Sequence, residues 1–159
     1  MTSTFKSFSE FVQNRRKILL EEKTPPKDSS IDHEIWKKWR SLVNMSKDEL
    51  KNFYDSEDGK DAGMKQKEAD KAGIDSGRES ARKLLEMIPT GSSFEKASEN
   101  WTPDKWKWAR KQISFISRMK GARKRIKGNP FEDENGDKTR WLKSLLIWGH
   151  DPRKPNRKV

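Results

Sequence analysis

The most informative segment of the chain is residues 101–119, which read WTPDKWKWARKQISFISRM. Thr102 is suited to cap a helix, and Pro103 fits its first position, where a missing N–H costs nothing. Apolar side chains then recur at helical spacing along two sides, at Trp106, Ala109, Ile113 and Ile116 and at Trp108, Phe115 and Met119. A helix that is apolar on two sides packs against several partners, so this segment is predicted to be the central helix of an all-α fold.

The residues after this helix are predicted to form a turn, one more helix and a tail. A basic run at 122–128 closes at a Gly-Asn-Pro turn. A last helix then begins near Asp137 or Thr139 and stops at Gly149, which fits the left-handed position that ends a helix. Its apolar residues are Trp141, Leu142, Leu145, Leu146 and Trp148. Residues 151–159 hold two prolines among basic residues and are predicted to be a disordered basic tail.

The residues before the central helix are predicted to form shorter helices. Ser30 can cap a helix with an apolar face along 31–43, and Ser46 with Glu49 forms a capping box for the next one. Further helices are expected around 65–72 and from Asp75 or Ser76 to Pro89. Because no strand alternation and no repeat is present, residues 30–150 are predicted to be a small, irregular all-α domain of about five to six helices.

The N-terminal residues are predicted to stand apart from this domain. Residues 1–22 show apolar residues near helical spacing and are interpreted as an amphipathic helical arm. Residues 23–29 contain Pro25 and Pro26, which do not allow a helix to continue, and are interpreted as a linker. The arm is therefore expected to be detachable.

The composition narrows the chemistry. The chain of 159 residues has no Cys and two His, His33 and His150, so disulfides, thiolate zinc sites and Cys nucleophiles are excluded. Leu, Ile, Val and Phe make up about 18% of the residues, which predicts a small core. No apolar run is long enough for a membrane span, and no signal region follows the N-terminus. We expect a protein that is not an enzyme, holds no metal or cofactor, has no membrane partner, and resides in the host cytoplasm or a virion interior.

The positive charge is concentrated in the last third of the chain. The net charge is +11, and residues 101–159 alone carry 17 Lys and Arg against 6 Asp and Glu. Such asymmetry points to a polyanionic partner, of which nucleic acid is the commonest. The candidate binding residues are Lys107, Arg110, Lys111, Arg118, Lys120, Arg123, Lys124, Arg125, Lys127, Arg140, Lys143 and His150. Contacts to phosphate are expected to be salt-sensitive and largely independent of sequence, and DNA is favoured over RNA.

Three other features allow more than one interpretation. Asp133, Asn135 and Asp137 have the spacing of the first calcium ligands of an EF-hand, but Lys138 stands where that loop needs Gly, so an acidic turn is favoured. His150 follows a helix end, whose dipole favours the charged ring; it either contacts phosphate or completes the last helical turn. The Trp residues are favoured as core residues over surfaces that stack on bases.

Part of the chain resembles a small uncharacterised, Trp-rich domain of tailed phages and large DNA viruses. The resemblance rests on 101–119, on 59–63, on 73–82 and on 146–152, and it covers roughly residues 45–152. It implies a viral origin and a single domain, and it implies no activity.

The arm carries a second resemblance. The segment TFKSFSEF at residues 4–11 is similar to the leader of internal head proteins of T-even-like phages. Leu19, Leu20 and Glu21 resemble the hydrophobic-x-Glu site that prohead proteases of such phages cut. The resemblance implies a basic helical protein packaged with DNA, cleaved after Glu21.

The favoured hypothesis is a phage-encoded protein without enzymatic activity that binds nucleic acid through residues 105–127 and 138–158. The alternative is a virion or host-interaction module in which an aromatic surface and residues 1–22 bind capsid, scaffold or other proteins. An enzyme built on Ser117, Arg118 and His150 is a third, weaker hypothesis.

Overall fold

The computed structural model describes residues 29–159, and the part that is described is built from α-helices, as predicted. The helices are α1 (Ser29–Leu42), α2 (Lys47–Asp55), α3 (Glu57–Asp61), α4 (Gln66–Ala72), α5 (Gly77–Thr90), α6 (Phe94–Asn100), α7 (Pro103–Gly121) and α8 (Arg140–Ile147), with a 3₁₀ turn at Ala122–Arg125. Residues 35–159 form one compact unit, and residues 29–34 are the beginning of α1. The predicted arm at 1–22 and residues 23–28 of the predicted linker (23–29) lie outside the described residues, and Ser29, placed in the linker by the prediction, is the first residue of α1.

The helix boundaries follow from local capping chemistry. The hydroxyls of Ser46 and Ser76 each accept a hydrogen bond from the backbone N–H of a glutamate three residues later, and each glutamate carboxylate accepts one from the backbone N–H of its serine, so both form capping boxes. Thr102 caps α7 by accepting from the backbone N–H of Lys105, and Pro103 occupies the first helical position. Residues 29–159 contain more helices than the five or six expected, because α3 and α6 are short and carry too few apolar residues to show a periodic pattern.

The core is organised around tryptophans that bridge α1, α6 and α7. Trp39 is completely buried, and its ring meets Trp101 edge-to-face with centroids 4.8 Å apart. Trp101 in turn meets the ring of Trp106 at 4.8 Å. The indole N–H of Trp39 donates to Oε1 of Gln112 at 2.7 Å, so the polar group that α7 buries is paired. The preference for core tryptophans over exposed stacking surfaces is thus confirmed for these three rings.

The corner between α2 and α3 requires a glycine. A Cβ at Gly59 would stand 1.8 Å from the carbonyl oxygen of Phe53, so any side chain forces the backbone apart. Arg78 closes this corner by donating to the carbonyl oxygens of Tyr54 and Gly59, with its guanidinium 3.8 Å from the Tyr54 ring. This arrangement anchors α3 to α5 and brings two aspartates of α3 close to α8.

The C-terminal tail is not disordered, contrary to the sequence prediction. The Asn44 side chain donates to the carbonyl oxygens of Asp151 and Pro155 and accepts from the backbone N–H of Asp151, and the backbone N–H of Arg157 donates to Ser41. Hydrogen bonds from Arg153 lower the pKa of the Asp151 carboxyl, although burial opposes this shift. The tail therefore satisfies polar groups at and beyond the end of α1, which a proline-rich pattern does not reveal.

Candidate functional site

Four predicted cations lie on one outward face of α7. Trp106, Ala109 and Ile116 of this helix are buried, so the opposite face is open to solvent. On a helix, residues three, four and seven apart lie above one another on the same face. The residues with this spacing are Lys107, Arg110, Lys111 and Arg118, all of them exposed. We call these four residues the α7 stripe.

A second group of exposed cations continues from the C-terminal end of α7. It consists of Lys120, Arg123, Lys124, Arg125, Lys127 and Arg140 and is called here the basic cluster. The indole N–H of Trp141 donates to the carbonyl oxygen of Met119 at 2.6 Å, which holds the first turn of α8 beside the last turn of α7. Arg140 is thereby brought to the same end of the domain as the 3₁₀ turn, although fifteen residues separate it from Arg125.

The cations of the α7 stripe and the basic cluster have no carboxylate partners among the residues that the structure describes. Across residues 29–159, none of these ten side chains takes part in an ion pair; elsewhere in this range some lysines do and others do not. Lys51 pairs with Asp55 at 2.9 Å, and Lys65 pairs with Asp61 at 3.1 Å. The guanidinium of Arg123 lies 5.3 Å from the centre of the Phe131 ring, a contact that leaves its charge uncompensated. The positive charge of these ten side chains is therefore not balanced by carboxylates within the described part of the chain.

Lys143, a predicted site residue, is neutralised inside the fold. Its side chain is 18% exposed, and Nζ lies 3.6 Å from a carboxylate oxygen of Asp58 and 3.5 Å from one of Asp61. These aspartates belong to α3, more than 80 residues earlier in the chain. Because its charge is already balanced, Lys143 is removed from the candidate interface.

The sequence prediction that His150 belongs to the phosphate-binding surface is also wrong. The residue is 1% exposed, and its Nδ1–H donates to the carbonyl oxygen of Leu42 at 2.6 Å, while Nε2 is buried and unpaired. Burial lowers the pKa of this ring, and the nearby charge of Lys120 lowers it further, although the bond to Leu42 acts in the other direction. The ring is therefore neutral and internal: it joins α8 to α1, and it contacts no surface that phosphate can reach.

The buried His150 ring is expected to make the free energy of unfolding depend on pH. As pH falls below about 6.5, the ordinary value for histidine, the unfolded chain takes up a proton that the folded chain resists, so the folded state loses stability. One such group contributes at most about 1.4 kcal/mol per pH unit. We expect His150→Asn, which keeps a donor for Leu42, to lower the free energy of unfolding at neutral pH but to flatten its pH dependence. Urea titrations between pH 5.5 and 7.5 measure how the free energy of unfolding depends on pH in the wild type and in the variant. Equal dependence on pH in the two proteins would contradict this account.

The structure also reveals a pocket beside the α7 stripe that the sequence did not indicate. It has a volume of about 210 Å³, and its apolar lining comes from Met64, Ile74, Phe115 and Trp148. Lys111 and Arg118 of the stripe border it. The apolar residues come from four separate segments, so no local pattern groups them. The only hint in the sequence is that Met64 and Ile74 belong to no apolar helical face.

The structure also bears on the calcium-site, enzyme and membrane-span hypotheses that were considered from the sequence. Oδ1 of Asp133 accepts from the backbone N–H groups of Asn135 and Asp137, which makes the 133–137 segment an acidic turn. No group of three or more potential metal ligands occurs within residues 29–159. Ser117 and Arg118 are exposed whereas His150 is buried and bonded to Leu42, and within residues 29–159 no side-chain hydrogen bond joins the three residues of the enzyme hypothesis. None of the described helices has the length and apolar character that a membrane span requires.

The fold and the surface together define a small, basic, helical protein whose unpaired cations line one helix and continue past its end. The chain belongs to the family described as protein of unknown function DUF3140, which matches residues 38–146. That match runs from within α1 to within α8 and contains the whole α7 stripe and the basic cluster. No curated protein and no solved structure matches the chain.

Proposed function

We propose that this protein binds nucleic acid by contacting the phosphate backbone with the α7 stripe and the basic cluster. The observation that carries the proposal is that ten exposed cations lie along α7 and past its end with no ion pair to any residue of 29–159, in a domain that pairs several of its other cations. The long Arg and Lys side chains of this surface match phosphate oxygens in charge and hydrogen-bonding capacity.

The arrangement of these cations has an energetic cost that a polyanion would remove. Lys107 and Lys111 are four residues apart on the same helical face, and like charges at this spacing destabilise a helix by about 0.2–0.5 kcal/mol per pair. Arg123, Lys124 and Arg125 are consecutive. A phosphate backbone along this surface would relieve the repulsion and release condensed counterions, which is the main source of affinity in sequence-independent binding.

A salt titration tests the proposal. Fluorescence anisotropy of a labelled 20-base-pair DNA duplex, and of a single strand of the same length, gives dissociation constants at 50 and 200 mM salt. If between about four and ten cations meet phosphate, affinity is expected to fall by about 10²–10⁵-fold over this range. Absence of binding at 50 mM salt, or binding that does not respond to salt, would refute the proposal. A labelled RNA duplex in the same assay tests the expected preference for DNA.

The phage origin, the packaging in a head and the alternative of a protein-interaction module remain predictions. The packaging and the interaction module rest largely on residues 1–22, which lie outside the described residues, whereas the phage origin rests largely on the resemblance of residues 45–152. Mass spectrometry of purified particles tests them together, since it reports both the presence of the protein and a cut after Glu21.

A further inference from the structure

We propose that the pocket beside the α7 stripe binds one unstacked nucleobase of a single-stranded nucleic acid, whose flanking phosphates contact Lys111 and Arg118. The inference rests on the proposed function, since it assigns a second role to the same surface. It concerns how the protein distinguishes single strands from duplexes.

The pocket brings together two of the large hydrophobic residues that the described domain leaves exposed. Among residues 30–159, the large hydrophobic residues that are exposed are Ile31, Met64, Ile74 and Val159. Ile31 is near the beginning of the described chain and Val159 is its last residue, whereas Met64 and Ile74, at 39% and 51% exposure, both line this pocket. Apolar surface left uncovered in one concave place is typical of a ligand site.

The inner part of the pocket is aromatic. Phe115 of α7 and Trp148, which follows α8, stack with ring centroids 4.0 Å apart and an angle of 16° between their planes. The Phe115 ring is half-buried, so part of this aromatic surface remains open to the pocket. Stacking on aromatic side chains stabilises bound bases of any sequence, because every base has a π-face. A thioether such as that of Met64 also packs favourably against aromatic rings.

The charged residues at the border of the pocket favour an anionic ligand. Lys111 and Arg118 border it and form no ion pair in the described part of the chain. Asp75 is the acidic residue of the lining, and its carboxylate is bound to Nζ of Lys83 at 2.7 Å. The net charge presented to a ligand is therefore positive. An aromatic group attached to phosphates matches this combination of an apolar interior and a cationic border.

The size of the pocket favours one ring system over an extended segment. Its volume of about 210 Å³ is below the ~300–1,000 Å³ of sites for drug-sized ligands. An amphipathic helix needs a groove for anchors on successive turns, which a pocket of this volume does not provide. Bases in a duplex are stacked inside it, so the pocket is open only to bases that are already unstacked.

A pair of serine substitutions on α7 tests the proposal. Ser114 is exposed and lines the pocket, whereas Ser117, also exposed, lies on the same helix and is not part of the lining. We expect Ser114→Trp to fill the pocket without changing charge and to raise the dissociation constant for a 20-nucleotide single strand by about 5- to 150-fold, the value of one stacked base. Ser117→Trp is the matched control and is expected to leave this constant within about twofold. Because Ser114 lies between Lys111 and Arg118 of the stripe, Ser114→Trp is expected to weaken binding of a 20-base-pair duplex less than binding of the single strand, and Ser117→Trp is expected to change duplex binding little.

The outcomes separate this proposal from the proposed function. Unchanged single-strand binding by Ser114→Trp, or an equal loss for single strand and duplex, would refute the base pocket and leave phosphate binding intact. Failure of the wild-type protein to bind either nucleic acid would refute both. Ile74→Gln, which removes an apolar wall at an exposed position, is a second variant and is expected to act in the same direction.

A third probe covers a protein ligand. A labelled acidic peptide containing Phe is titrated under the same conditions. If Ser114→Trp abolishes its binding while single-strand binding persists, the pocket belongs to a protein partner, and the base-binding proposal is wrong.

Discussion

Neutralising the α7 stripe with four glutamine substitutions is expected to weaken binding to a DNA duplex by about 10²–10³-fold at 0.15 M salt. Each phosphate contact that is lost lowers the slope of log K against log salt by about 0.9, so the slope should decrease by about 3 to 4. The loss is expected to be similar for different DNA sequences, because contacts to phosphate carry no base information. Anisotropy titrations at several salt concentrations, with two unrelated duplexes, measure these changes.

The matched control removes the same charge from another part of the surface. Lys51, Lys60, Lys65 and Lys154 are exposed and pair with Asp55, Glu57, Asp61 and Glu49, respectively. Replacing these four lysines by glutamine changes the net charge from +11 to +7, as does the stripe variant. We expect less than a tenfold loss of affinity for the control. A loss equal to that of the stripe variant would show that binding follows total charge, and the assignment of the site to α7 would be wrong.

The stripe variant is not expected to lose stability. Its side chains are exposed and form no ion pair within the described residues, and substitutions of this kind usually change the free energy of unfolding by less than about 0.5 kcal/mol. Relief of repulsion along α7 acts in the stabilising direction. Thermal unfolding of the variant beside the wild type therefore separates a binding defect from a folding defect.

The largest effect on stability is expected for Trp39→Ala. This substitution removes a completely buried indole, its edge-to-face contact with Trp101, and the donor that satisfies Gln112. Truncation of a buried Trp costs about 3–5 kcal/mol, and the unpaired amide of Gln112 places the expected value at the upper end. Because small domains are stable by only about 5–15 kcal/mol, much of the stability is lost. Urea denaturation followed by circular dichroism measures the change.

Trp39→Phe separates packing from hydrogen bonding at this position. Phenylalanine keeps an aromatic ring against Trp101 but has no N–H for Gln112, so the expected loss is about 1–3 kcal/mol, the cost of an unpaired buried polar group. A loss below about 1.5 kcal/mol for Trp39→Ala would contradict the central place of this residue in the core. An equal loss for both variants would assign the effect to the hydrogen bond.

Much of the helical framework and the α7 stripe could be predicted from sequence because both depend on short-range geometry. The caps at Ser46, Ser76 and Thr102 act on backbone groups within three residues, and their signals are local. The stripe follows from the same periodicity that identifies the buried face of α7: once Trp106 and Ile116 are internal, Lys107 and Lys111 face solvent.

The sequence predictions that were wrong, and the features that were not predicted, involve residues that are far apart in sequence but in contact in the fold. His150 finds its acceptor at Leu42, Lys143 finds carboxylates on α3, and Asn44 binds the tail at Asp151 and Pro155. The pocket likewise combines Met64, Ile74, Phe115 and Trp148. Helix periodicity and capping extend over about four residues, and they identify which groups an element buries or leaves unpaired. The distant residue that forms a hydrogen bond or ion pair with each of these groups depends on how the helices pack. This packing is established only when the core around Trp39 is assembled.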